Sequence, residues 1–260
     1  MSIKVTHYAA ELQKAERCNV KLAPITKRNK KLTLEDAYSI QLEIAANKIT
    51  NGSDVIGKKI GHVHLPNRSA TYSREKLYVG YLFDDMVVSS ELPVTIAAKE
   101  NMQIGMSLAF KLRNDIKGPL ATYVDVLMAT DYVIPVIEIF NSHWNDRDIA
   151  TIDVVAENGA ITNVIFGNDK LTIDEVNLRT TGLTVYKNEQ LVLATAYAFS
   201  HGHPAHAIAL CANKLVNNDV TFKSGQYVLT SYAQTFIDVQ KSDHIHVDFG
   251  LLGQLAVTFS

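Results

Sequence analysis

The sequence predicts an α+β fold in which a small helical N-terminal region precedes a large mixed β body. Three observations predict it. Apolar residues recur at helical spacing up to about residue 54, short β-rich runs broken by Gly, Pro and Asn take over from residue 55, and only two further helical patterns interrupt those runs. No repeat, low-complexity tract or linker divides the chain, so the expected organisation is one compact unit made of a helical region, 1–54, and a β-rich body, 55–260.

The stretch before Lys21 reads as a short helix, and Lys21 to Lys31, basic and containing Pro24, reads as an exposed connection. A helix then starts at Thr33, which has Asp36 three residues on in capping-box spacing. Ala37, Ile40, Ile44 and Ala45 carry its apolar face as far as Asn47. The β runs fall at 55–64, 78–89, 102–112, 132–140, 152–156, 161–167, 183–186, 226–232 and 244–259. One interrupting helix covers Tyr123 to Thr130, capped by Thr122 with Asp125. The other begins at Pro204, whose fixed φ suits the first helical position, and places Ala207, Ile208, Cys211 and Leu215 on one face.

The formal charge of −2, from 25 basic and 27 acidic residues, gives no surface for nucleic acid or an anionic membrane, so the expected partner is a small molecule. Two cysteines, Cys18 and Cys211, do not make a disulfide framework; Cys211 sits in an apolar stretch as a buried thiol would. Met1 to His7 holds no apolar leader and no stretch nears the ~18 apolar residues of a membrane helix, which predicts a cytoplasmic protein. Glycine-rich phosphate loops, a Gly-x-Ser-x-Gly elbow and Cys-x-x-Cys are all missing, which sets aside nucleotide-dependent and serine-hydrolase chemistry.

Glu138 is the one acid in the apolar run Tyr132 to Phe140, and an ionised carboxylate there needs a partner. It is either a ligand or general base, or a structural carboxylate paired with Lys59 or with backbone. Lys58 and Lys59 are consecutive, so in a strand they point to opposite faces and one of them turns inward. His62-x-His64 and His244-x-His246 each set two imidazoles on one strand face, which suits a transition metal. No third ligand is identifiable, so solvated or core histidines are the expected reading. His203 reads as a helix-entry residue.

With these elements placed, the chain resembles the 2-keto-4-pentenoate (2-hydroxypentadienoate) hydratase and 4-oxalocrotonate decarboxylase family of the fumarylacetoacetate hydrolase superfamily. The likeness runs from about residue 32 to the end. It is carried by Asp36 to Gln41, Gly57-Lys58-Lys59-Ile60-Gly61, Gly80 to Met86, Leu108-Ala109-Phe110, Ala129 to Ile139, Asp153 to Asn158, Gly202-His203-Pro204 and Ala212 to Leu215. The resemblance implies a fumarylacetoacetate hydrolase-like mixed β roll or barrel, a homo-oligomer, and lyase chemistry on small 2-oxo or 2-hydroxy unsaturated acids from aromatic catabolism. It also implies Mg²⁺ or Mn²⁺ chelated by three carboxylates, a Glu-x-Glu pair and a lone Glu.

Glu138 stands at the lone-Glu position and Lys59 at the family's active-site lysine. The Glu-x-Glu positions hold Gly105 and Ser107, an acidic position before the aromatic and glycine holds Tyr78, and the family's Asp-Ser-Arg reads Asn141-Ser142-His143. At ~4 Å and an effective dielectric of ~20, a unit charge pair is worth roughly 4 kcal/mol before desolvation. Two missing carboxylates therefore predict a metal bound weakly or not at all, with Glu138 the sole candidate ligand. The expected function is a divergent hydratase or decarboxylase using Lys59, Glu138, Tyr78 and His143. The alternative is a non-catalytic member serving as a binding or assembly subunit.

Overall fold

In the computed structural model, which describes residues 3–62, 77–96, 102–146, 149–196, 202–216, 220–232 and 235–260, the N-terminal region is helical: α1 (Ile3–Cys18), α2 (Ile25–Arg28) and α3 (Leu34–Thr50). The expected capping box starts α3, with the Asp36 N–H donating to the Thr33 hydroxyl and the Thr33 N–H to the Asp36 carboxylate. The helix runs to Thr50, beyond the expected Asn47, and the chain turns at Gly52 with φ +100°. Within the segment expected as an exposed connection, four residues fold into α2, while Lys27, Arg28, Lys30 and Lys31 are exposed. Ile25 there is fully buried, and the Thr26 N–H and hydroxyl both donate to Asp153.

Seven strands form the main sheet: β1 (Val55–His62), β2 (Leu77–Phe83), β3 (Met102–Leu112), β4 (Thr130–Asn141), β5 (Ile161–Phe166), β8 (Tyr227–Ser231) and β9 (Ile237–Val239). Their order is β2-β1-β8-β3-β4-β5, with β9 paired to β3. A second sheet orders β11 (Gln254–Thr258), β10 (His244–Asp248), β6 (Gly182–Lys187) and β7 (Gln190–Ala196) side by side. The main sheet curls until its two ends meet. Asn158 ties them, accepting from the Tyr81 N–H at 2.7 Å and donating to the Tyr81 carbonyl at 2.9 Å, while the Val88 N–H donates to the Val164 carbonyl. This is the expected α+β architecture.

The helices α4 (Tyr123–Ala129) and α6 (Pro204–Lys214) start where their caps predict. Several β expectations need correction. Residues 152–156 lie in a helix, α5 (Thr151–Ala156), because the buried Asp153 carboxylate accepts from the Ala150 N–H and from Thr26 and so fixes a helical turn. The run 78–89 stops as a strand at Phe83 and turns through a 3₁₀ segment at Asp84–Met86. The run 244–259 is two strands around a 3₁₀ turn at Gly250–Leu252, and β7 and β9 were not expected. Residues 63–64 of the first run lie outside the described residues.

Both faces of the main sheet are covered. One face buries Ile60, Ile104, Leu108, Phe110 and Ile137 under helices including α6, where burial pushes the Cys211 thiol up to about 12. The inner face of the curl buries Leu82, Ala109, Ile134, Val136, Phe140, Val164 and Leu229. No described helix is long and apolar enough to cross a membrane.

Candidate functional site

Strand register builds the site. Residues opposite one another on paired strands share a face. Gly105 lies opposite Glu138, Ser107 opposite Ser231 on β8, and Lys59 beside Leu229. Lys59, Gly105, Ser107 and Glu138 therefore project into the same curl from β1, β3 and β4. The Lys59 ammonium is ion-paired with the Glu138 carboxylate, and the two side chains are only 2% and 1% exposed. Ser107 Oγ donates to Glu138 Oε1. Lys59 Nζ also lies 4.3 Å from the centroid of the Phe140 ring, a cation–π contact. Burial pulls the Lys59 amine well below the ordinary lysine range.

Lys58 points to the opposite face and is buried as well, with its Nζ 5.0 Å from the Tyr81 ring centroid. Burial and the neighbouring Lys223 lower its pKa. The expectation that one lysine of the pair turns inward thus understates the result, because the sheet is covered on both sides.

At Gly105 the surroundings are aromatic. A Cβ added there would meet the Phe236 ring at an ordinary contact distance of 3.6 Å and stand 3.1 Å from Phe140 Cε2, so the Phe140 ring would have to give slightly. Their centroids are 5.0 Å apart, edge to face. The period-two phase from Glu138 places Phe140 on its face, so that member was legible in the sequence; Phe236 was not.

Tyr78 lies opposite Gly61, two residues along β1 from Lys59 and on the same face, whereas His143 is held beside Glu157. The Tyr78 ring stands where a Gly61 side chain would be, and its hydroxyl would be 2.5 Å from a Cβ at Gly159. Burial, with Tyr38 and Glu157 nearby, raises its phenol well above the usual value. His143 directs Nδ1 to Glu157 Oε1 at 3.0 Å, and its backbone N–H donates to the same carboxylate. Ser142 Oγ donates to Glu157 Oε2, and Lys21 Nζ donates to the Ser142 carbonyl and Asn141 Oδ1. Asn141-Ser142-His143 and Glu157 thus form a second polar cluster beside the seam of the curl. Among the histidine pairs, His244 Nδ1 meets Thr258 Oγ1 and His246 Nε2 meets Gln254 Oε1; His64 lies outside the described residues. His203 accepts from the Ala205 N–H at the start of α6.

No family model matches the chain. The chain is 32% identical to the 2-oxo-hept-4-ene-1,7-dioate hydratase of Escherichia coli over 266 aligned residues, covering 98% of each protein. It belongs to the 2-keto-4-pentenoate hydratase and 4-oxalocrotonate decarboxylase family. The 4-oxalocrotonate decarboxylase of Pseudomonas putida is 28% identical over 98% of this chain and 97% of its own. The structure of the Pseudomonas putida G7 4-oxalocrotonate decarboxylase, complexed with magnesium and adipate, superposes with a TM-score of 0.91 over 99% of this chain and 97% of that one, at 27% identity.

A divalent cation of the kind that decarboxylase holds wants several oxygen ligands, carboxylates above all. Here the inner face offers Glu138, already engaged by Lys59 and Ser107, with no side chain at Gly105. No cluster of three His, Cys, Asp or Glu side chains with metal-binding geometry occurs among the described residues. This donor set does not fit a family-type dication.

Proposed function

We propose that this family member is a lyase of the hydratase or decarboxylase type acting on a small 2-oxo or 2-hydroxy unsaturated carboxylic acid, with Lys59 and Glu138 as its proton-handling pair. One observation carries the reading: a buried lysine and carboxylate are ion-paired on the inner face of the curl, with Ser107 fixing the carboxylate. The substrate carboxylate takes Glu138's place at Lys59, which frees Glu138 as a base. In a 2-hydroxydienoate the 2-hydroxyl proton leaves to Glu138 and a proton arrives at the far end of the diene, giving a 2-oxo-3-enoate. Water then adds at C4, its proton ending on C3. Lys59 supplies the positive charge opposite the developing enolate, and a divalent cation binds weakly or not at all. His143, tied to Glu157, holds the seam rather than the substrate in this reading, and Tyr78 packs over Gly61 and Gly159.

The test is loss of diene absorbance with 2-hydroxypenta-2,4-dienoate and its dicarboxylic homologues, measured in EDTA and with Mg²⁺ or Mn²⁺. Turnover that persists in EDTA is expected. Turnover of none of them under any condition would favour the second reading, a binding or assembly subunit, which the closed state of the Lys59–Glu138 pair supports. The reading includes a homo-oligomer, supported by the exposed edge strand β7 with Leu191 57% accessible. Light scattering at micromolar concentration is expected to exceed the 28.8 kDa monomer. We place the protein in the cytoplasm, since neither Cys18 nor Cys211 is in a disulfide.

A further inference from the structure

We propose that Phe140 and Phe236 form an aromatic wall beside Lys59 that makes the site selective for a planar, singly charged unsaturated acid over its dicarboxylate counterpart. The inference rests on Lys59 as the residue that receives the substrate carboxylate. Phe140 follows Glu138 by two residues on the same face and is buried, whereas Phe236 is 45% exposed, so the ring pair leads from Lys59 to the rim. Both rings close over Gly105. A ligand anchored at Lys59 therefore runs its carbon chain along them, and a flat conjugated chain packs on such rings better than a puckered one.

A second carboxylate at the far end of that chain meets no free cation among the described residues. The rim beyond Phe140 carries Gln103, opposite it on β3, and Gln103 Nε2 donates to the carboxylate of Asp238. Lys187 reaches this rim but is ion-paired with Asp243 at 2.8 Å and donates to the Asp238 carbonyl. Lys111, also on the inner face, donates to the Gly225 carbonyl and lies over the Tyr227 ring. The far carboxylate would be desolvated against two rings and would face the negative charge of Asp238.

Two unreactive acids separate the possibilities, because trans,trans-hexa-2,4-dienoate and trans,trans-hexa-2,4-dienedioate share one diene and differ in one carboxylate. Calorimetric titration of the whole protein in EDTA is expected to show the monoacid binding at least about tenfold tighter. Phe236→Lys, at a half-exposed position where folding is spared, is expected to close or invert that gap. Equal or tighter binding of the diacid by the wild type would overturn the wall while leaving the lyase reading in place. Binding of neither acid, or binding that survives Lys59→Met unchanged, would overturn Lys59 as the carboxylate site, and this inference with it.

Discussion

Lys59→Met is expected to destabilise the protein by about 3–5 kcal/mol, the usual cost of removing one partner from a buried ion pair. The substitution keeps most of the side chain's volume but leaves the Glu138 carboxylate with only the Ser107 hydroxyl, in a position with no access to water. Phe140 loses its cation at the same time. Urea unfolding of the single variant should show a lower midpoint at unchanged slope, and the double variant Lys59→Met/Glu138→Gln should recover most of the loss, since it removes both charges together. Turnover is expected to vanish in both variants, which separates the pair's chemical role from its structural one. A single variant within about 1 kcal/mol of wild type would show that the pair does not carry opposite charges in the folded protein.

The second large effect concerns metal. Gly105→Glu with Ser107→Glu places two further carboxylates on the face of Glu138, and three carboxylates around one lysine leave a site suited to a dication. Each added charge pair is worth roughly 4 kcal/mol at ~4 Å and an effective dielectric of ~20 before desolvation, so affinity should rise by orders of magnitude. The obstacle is steric, because the new Cβ at 105 would lie 3.1 Å from Phe140 Cε2. The double variant is therefore expected to fold less stably and bind modestly, and adding Phe140→Val should release the ring and give tight binding. Electron paramagnetic resonance of Mn²⁺ reads the free ion directly. A triple variant as stable as wild type that leaves millimolar Mn²⁺ free would mean that Gly105, Ser107 and Glu138 do not share one pocket. Tyr78→Asp, the further change the resemblance suggests, would exchange a ring packed on Gly61 and Gly159 for a void and a buried acid, and does not belong in that variant.

The starts of α3, α4 and α6 were legible because a cap is chemistry within three residues: Thr33 with Asp36, Thr122 with Asp125, and proline at the first turn. The β texture, and the phase that puts Phe140 on the face of Glu138, were legible because side chains in a strand alternate with period two. Family membership was legible in the order and spacing of many short matches. None of these needs a partner from far along the chain. What only the tertiary structure decided is long-range. Residues 152–156 are helical because Asp153 receives Thr26 from 127 residues away, which overrides their β-branched composition. The partners of Glu138 come from other strands, Lys59 on β1 and Ser107 from 31 residues away on β3. Gly105 reads as a lost ligand in the sequence, while in the fold the rings of Phe140 and Phe236 stand against its side-chain position. Desolvation inside the curl decided that pairing, because a carboxylate removed from water takes the nearest available cation, and which cation is nearest depends on strand order.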